Sequence, residues 1–288
     1  MKLPKFDYVE PTTALEAVTL LSQSRGLAKV IAGGQSLIPT MALRLAQPAL
    51  LIDLRHLESL RGIAVDEAGL RLGAMTRWRE IQDSAEVLDT HPLLVEAVRH
   101  IAHYQIRNRG TVGGSLAHAD PAAELPCIAV TCGASIRVLG ILGEREILAD
   151  EFFLGPLATA LGDDEIILEV RFPRWPSSRQ WGFQEFSRRQ GDFALAGVAI
   201  FYDTDNSGRL ENAHVGVFGV GQCATRLSGV ESALNGRTNT ISVAAEVARL
   251  AAAEVTPSDD LHASARYRRA LVAVLLERAM ALARGERA

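Results

Sequence analysis

Cysteine is scarce in this chain. Only Cys127, Cys132 and Cys223 occur among 288 residues, and no two of them form a C-x-x-C pair. Such usage fits a reducing compartment and argues against an iron–sulfur or structural zinc site held by this chain alone. All three are expected to be buried small apolar side chains. Basic charge is not in excess either. The formal net charge is −4, and no long Lys/Arg stripe appears, so no nucleic-acid partner is expected. No run reaches the roughly 18 consecutive apolar residues of a membrane helix. The opening MKLPKFDYVEP has no apolar signal-peptide core, so a cytoplasmic protein without a membrane span is expected. There is also no metal-ligand cluster, no carboxylate dyad and no oriented nucleophile–base pair.

What is present is an ordinary globular mixture, 48% apolar and 22% charged. The length favours two domains. The stretch FPRWPSSRQ (172–180), rich in proline and serine, marks the boundary. FDYVE and AKVIA read as strands on either side of a helix. Thr13 and Glu16 form its capping box, and Ala14, Ala17, Val18 and Leu21 form its apolar face. ALLIDL is a further strand, 62–74 a hairpin turning at 66–69, and TRWREIQDS and PLLVEAVRHIA are helices. Strands return at ASIRVLG, EIILEVRFP and WGFQEFSRR, then at ALAGVAIFYDT and RLENAHVGVFGV. The final helix is expected to present Tyr267, Leu271, Val274, Leu275 and Leu282 at helical spacing.

Two glycine pairs carry the chemistry. KVIAGGQSLIP (29–39) runs from a strand through Gly33-Gly34 to Ser36 at an N-cap position, with Pro39 confined to the first helical turn. RNRGTVGGSLAHADPAAELP (107–126) holds the second pair, and neither has the lysine of a nucleotide-triphosphate loop. A Gly-Gly turn at a helix start leaves N–H groups free and tolerates positive φ. With the helix dipole, those groups suit a phosphate. Two such turns facing each other could hold a pyrophosphate, with Ser36, Thr111 and Ser115 adding hydroxyls and Asp120 and Glu124 suiting sugar hydroxyls. Each pair taken alone more commonly means only a tight turn. GVGQCA (219–224) satisfies G-x-G-x-x-A but opens only TRLSGVESALNG, a short helix broken by glycine, and reads as a strand-end turn.

AGGQSLIP (32–39) and RNRGTVGGSLAHADPAAELP resemble the two flavin-binding signatures of the medium subunits of molybdenum hydroxylases. That family includes carbon monoxide dehydrogenase and bacterial nicotine, quinoline and caffeine dehydrogenases, and its module resembles the FAD domain of xanthine dehydrogenase. GDFALAG (191–197) and DDLHASARYRRALVAVLLERA near the C-terminus extend the resemblance over nearly the whole chain. It implies an α+β fold, with a two-lobed FAD-binding domain of vanillyl-alcohol-oxidase (PCMH) type at 1–177. A smaller α/β C-terminal domain would occupy 178–288. FAD would bind non-covalently.

Carried over by position, Ala32, Gly33, Gly34, Gln35, Ser36 and Leu37, with Thr111, Val112, Gly113, Gly114 and Ser115, would hold the pyrophosphate. Glu124 would meet a ribose hydroxyl, with Asp120 nearby, and His118 would line the cleft. Ile101, Asp192 and Phe193 would lie near the isoalloxazine ring. An aromatic face there excludes water and tunes the flavin, although Phe193 could equally be strand core. His100 sits on an apolar helix as a structural residue; His103 is left undecided.

No residue of this chain is assigned a catalytic or metal-binding role. The resemblance implies partners: a small subunit with 2Fe-2S clusters and a large subunit with molybdenum-pterin, in a dimer of heterotrimers. Electrons would pass through FAD to an external acceptor. Ser115 replaces the asparagine of the carbon monoxide and xanthine enzymes, which leans toward N-heteroaromatic substrates. No cysteine-rich insertion suggests an extra cluster. The competing reading is a self-sufficient FAD oxidase or reductase with its own small substrate.

Overall fold

The computed structural model describes residues 2–286. The first lobe comprises β1 (Asp7–Val9), α1 (Ala14–Ser24), β2 (Ala28–Ile31), α2 (Leu37–Ala42) and β3 (Leu50–Asp53). Its three strands are parallel, with β3 in the middle. Thr13 Oγ1 accepts the Glu16 N–H at 3.1 Å and starts α1 as expected. The Glu16 carboxylate, however, takes the N–H and hydroxyl of Thr12 (2.7 and 2.9 Å), so the reciprocal half of the box lies one residue early. Ala17, Val18 and Leu21 are buried under this helix.

The second lobe begins with the hairpin β4 (Ile63–Asp66) and β5 (Gly69–Gly73). Six helices follow: α3 (Trp78–Gln82), α4 (Ala85–Thr90), α5 (Pro92–His100), α6 (Tyr104–Arg107), α7 (Val112–His118) and α8 (Glu124–Thr131). Next come β6 (Ser135–Gly140), β7 (Gly143–Leu148), α9 (Ala149–Phe152), β8 (Phe153–Gly155), β9 (Ala158–Thr159) and β10 (Ile166–Pro173). Long strand β10 lies at the centre of an antiparallel sheet ordered β4-β5-β10-β6-β7.

The C-terminal unit is the antiparallel sheet β11 (Gln180–Phe186), β12 (Ala196–Thr204), β13 (Leu210–Phe218) and β14 (Thr225–Arg226). It is followed by α10 (Ser228–Leu234), α11 (Ile241–Glu254) and α12 (Ala265–Ala283). Alternation along these strands feeds two cores. Val198, Ile200, Val215 and Val217 pack under the three helices. Phe183, Ala199, Phe201 and Phe218 join the apolar residues of α5 and α8 in the second lobe. The sheet is thus covered on both faces. The connecting stretch is anchored as well: the Trp175 ring lies 5.2 Å from that of Phe201, and Arg179 sits 4.4 Å above Phe201 while pairing with Asp203. GVGQCA ends β13 and leads only to the two-residue β14. Gly229 lies in the first turn of α10 rather than breaking it.

Two expectations need correction. The buried stripe of α12 is Arg268, Val272, Leu275, Leu276, Ala279, Met280 and Ala283; of the expected face Leu275 belongs to it and Leu271 packs against the same core, while Tyr267 and Val274 are exposed. The reason is closeness. Any Cβ on Gly182 of β11 would overlap the Ala279 carbonyl, so the helix packs through its smallest side chains. Nor are all three cysteines core residues. Cys127 is buried, and burial pushes its thiol up to about 12, whereas Cys132 and Cys223 are partly exposed.

Arg268 turns inward despite its charge. Its Nη1 donates to the carbonyls of Leu195 (2.6 Å) and Gly219 (2.8 Å), and Nη2 pairs with Asp260. The Gly219 N–H in turn donates to the Pro121 carbonyl of the second lobe at 2.8 Å. One guanidinium therefore ties the helix, the β11–β12 connection and the lobe junction together. Replacing Arg268 by Ala should destabilise the chain by about 2–6 kcal/mol, since two carbonyls lose their donor at ~1–3 kcal/mol each. Arg268→Lys should recover only part of this, because a single ammonium lacks the fork. Chemical denaturation would measure both, and an unchanged midpoint for Arg268→Ala would refute the role.

Candidate cofactor site

The first glycine pair follows β2 directly. Gly34 adopts φ +73°, a left-handed conformation that disfavours a side chain. Gln35 Nε2 closes the turn on the Gly33 carbonyl at 3.0 Å. Ser36 occupies the N-cap position of α2, but its hydroxyl makes no capping bond, so it stays available. Among the described residues, the backbone N–H groups of residues 33–37 find no acceptor. A row of unpaired donors at a helix start is what an anion needs.

The second pair is placed differently from the expectation. Gly113 and Gly114 lie inside the first turn of α7 rather than ahead of it, and Thr111 Oγ1 caps the helix by accepting the Gly114 N–H at 3.2 Å. The amides of Val112 and Gly113 donate to the carbonyls of Thr76 (2.9 Å) and Ala74 (2.7 Å), and that of Ser115 to Thr111 (3.1 Å). Gly113 is a packing residue, since its Cβ would come within 2.7 Å of the Ala74 Cβ. This loop therefore offers hydroxyls and a helix-end field, not a second row of free amides.

The two loops do meet. A Cβ on Gly33 would overlap the Arg109 carbonyl and lie 2.9 Å from the Gly110 Cα, and one on Gly114 would lie 3.7 Å from the Ala32 Cβ. Ala32, Gly33 and Thr111 line a cavity of about 120 Å³ that four arginines share: Arg55, Arg61, Arg77 and Arg109. A shallower groove of about 450 Å³ adjoins it through Arg77 and Asn108. Arg55 pairs with buried Asp53 at 2.7 Å, but Arg77 and Arg109 have no carboxylate partner among the described residues. Only Arg109 lay inside a recognised motif. The other three arrive from separate turns, with no spacing that marks them.

At the seam between the second lobe and the C-terminal sheet, the turn after Ile101 meets the turn that carries Asp192 and Phe193, through Gly191. Ile101 ends α5; its carbonyl and that of Ala102 (φ +42°) accept from Arg107 Nη1 at 2.8 and 2.9 Å. Gly191 packs so tightly on the Ala102 carbonyl and the His103 ring that a Cβ would overlap the ring. Phe193 is 69% exposed, which excludes the core-packing alternative. Asp120 accepts the Ala122 N–H at 2.8 Å and so closes its own turn. His118 is partly buried in the last turn of α7. His100 stands 3.6 Å from Glu96 and 4.0 Å from Glu185.

Two carboxyls here are strongly perturbed. Burial, assisted by the Asp120 charge, pushes Glu124 up to about 7. Burial, assisted by Glu124, pushes Glu185 up to about 8. Glu185 was not anticipated: it reads as an ordinary strand residue until the sheet is seen to be covered on both faces. No group of three or more His, Cys, Asp or Glu among the described residues is placed to hold a metal, and no helix is long and apolar enough to cross a membrane.

Residues 4–175 match the family described as FAD binding domain in molybdopterin dehydrogenase, and residues 181–283 the CO dehydrogenase flavoprotein C-terminal domain. The chain is 41% identical to the nicotine 6-hydroxylase medium subunit of Paenarthrobacter nicotinovorans, over 96% of this chain and 97% of that relative. Its structure is similar to a chain of carbon monoxide dehydrogenase from Hydrogenophaga pseudoflava, with a TM-score of 0.96, 36% identity and full coverage of both chains. It is also similar to one of quinoline 2-oxidoreductase from Pseudomonas putida 86, with a TM-score of 0.94, 35% identity and 99% coverage of each.

Changing Arg77 and Arg109 together to Ala should weaken FAD binding at least about tenfold and flatten its salt dependence, since unpaired cations beside a diphosphate act through screened charge. Fluorescence titration at two ionic strengths measures this. Stability should also vary with pH. Unfolded Glu185 titrates near ~4.3 and folded Glu185 near about 8, so between these values the folded state keeps a proton that the unfolded state has lost. Stability therefore falls as pH rises from about 4.5 through 8 and levels off above. Glu185→Gln should remove most of that slope in melting curves.

Proposed function

The chain belongs to the family of FAD-carrying medium subunits of molybdenum hydroxylases, and on that footing we propose that it relays electrons from 2Fe-2S clusters of a small subunit to an external acceptor. The reading rests on one arrangement: unpaired amides at residues 33–37 beside a cavity lined by four arginines. Bound FAD supplies a ring that can exchange electrons singly or in pairs. The chain's own groups hold and orient it. The amides of residues 33–37 and the hydroxyls of Ser36, Thr111 and Ser115 take the diphosphate, with Arg77 and Arg109 offsetting its charge. Gly114 lets the diphosphate approach α7. Glu124 meets a ribose hydroxyl, and Ile101, Asp192 and Phe193 border the ring at the seam.

The holoenzyme would hydroxylate an N-heteroaromatic substrate on a large molybdenum-pterin subunit. Supporting this class are Ser115 and the similarity to the nicotine and quinoline enzymes. The assembly would be a cytoplasmic dimer of heterotrimers, with the flavin-binding unit at 1–177 and the C-terminal unit at 178–288. The self-sufficient oxidase reading is disfavoured by the C-terminal sheet, whose two faces are both occupied by packing and leave no wall for a substrate pocket.

Expressed alone, the chain should be yellow, bleach with dithionite and oxidise neither nicotine nor quinoline. Purified from its native source, it should accompany two further chains, and a substrate of that complex should bleach the flavin. Turnover of such a substrate by the isolated chain would overturn the proposal.

A further inference from the structure

At the C-terminal ends of the first lobe's parallel strands, Asp53 of β3 lies opposite Ile31 of β2, and Tyr8 of β1 donates its hydroxyl to Asp53 at 2.6 Å. Such strand ends are where open parallel sheets take their ligands. Ile31 leads directly into Ala32 and Gly33, and its carbonyl accepts the Leu54 N–H at 3.1 Å. The 53–55 turn is thereby fastened beside the glycine loop. Asp53 is fully buried yet ionised. Burial alone would raise its carboxyl, but hydrogen bonds from Arg55 and Tyr8 hold it below the usual carboxylate range.

Three donors of one residue converge on this carboxylate. Oδ1 accepts the Arg55 backbone N–H at 2.8 Å, and Oδ2 takes Nε and Nη2 of the same side chain, both at 2.7 Å. The Arg55 carbonyl is held in turn by Arg61 Nη2 at 2.8 Å. Main chain and guanidinium of Arg55 are therefore both fixed before any ligand arrives. What is left is Nη1, which makes no hydrogen bond among the described residues, on a side chain that lines the cavity of about 120 Å³ with Ala32, Gly33 and Thr111. An exposed ion pair fixes little, because both side chains keep their freedom. Here the carboxylate is sealed and immobile, so the guanidinium forked on it has lost its freedom in advance, and binding need not order it again.

We propose that Asp53, steadied by Tyr8, is a positioning residue that presets Arg55 to donate a hydrogen bond to the diphosphate of FAD. The inference rests on the FAD reading above and adds to it a third arginine with its buried support. Arg77 and Arg109 contribute unpaired charge; Arg55, neutralised by Asp53, contributes direction.

The test is a double-mutant cycle on the full chain stripped of flavin, with FAD titrated by quenching of flavin fluorescence. Arg55→Ala should raise the Kd about tenfold, the scale of one charge-assisted hydrogen bond. Asp53→Asn removes a negative charge beside the cavity, so charge alone predicts tighter binding. Loss of positioning predicts the opposite, a Kd about fivefold higher. In the Arg55→Ala background, Asp53→Asn should raise the Kd no further. Tyr8 is half-exposed, so Tyr8→Phe leaves the core untouched and serves as the second variant should Asp53→Asn fold poorly. It should raise the Kd about threefold, again only where Arg55 is present. A Kd unmoved by Arg55→Ala, a Kd lowered by Asp53→Asn, or an equal loss with and without Arg55 would overturn the positioning role and leave the FAD reading intact. A wild-type chain that binds no FAD would overturn both.

Discussion

The carbonyl of Arg109 rests against the Cα of Gly33, and much of the molecule follows from that contact. It joins two lobes with different chain logic, one a parallel sheet and the other antiparallel around β10. Only a residue without a side chain permits it. Because the lobes touch there, the unpaired amides after β2 lie beside arginines that arrive from the other lobe and from the turn after β3. The binding geometry is thus created by packing. Neither loop supplies it alone.

The C-terminal unit depends on this arrangement less directly. Its sheet is held on one face by its own helices and on the other by the second lobe, so the seam is largely apolar. At its edge the polar atoms are matched one by one: Arg268 to two carbonyls, Gly219 to Pro121. Glu185 Oε2 and His91 Nδ1 are buried without a partner among the described residues.

Much of the fold could be read beforehand. Strands such as AKVIA and ALAGVAIFYDT carry dense apolar runs, Thr13 marks a helix start, and Pro39 limits where α2 can begin. The convergence of the two glycine loops was legible too, because glycine next to a hydroxyl and a helix has few physical meanings. Other features were not. The inward face of α12 mixes an arginine and two alanines with its aliphatic side chains, and hydropathy does not single out that arginine or those alanines. Gly113 and Gly114 read as a turn because glycine usually ends regular structure, whereas here close packing on Ala74 placed them within a helix. Arg55, Arg61 and Arg77 gain their meaning only from tertiary placement, and Glu185 from a burial that depends on both layers covering its strand.

Burial of Cys127 within α8 has a consequence for durability. With its thiol pushed up to about 12, the reactive thiolate is a vanishing fraction at neutral pH. Peroxides or disulfides in the surrounding medium meet an inert sulfur shielded by Thr131 and the neighbouring strand. The sulfur inside this helix, whose first residue is Glu124, is therefore protected from oxidation by its own packing.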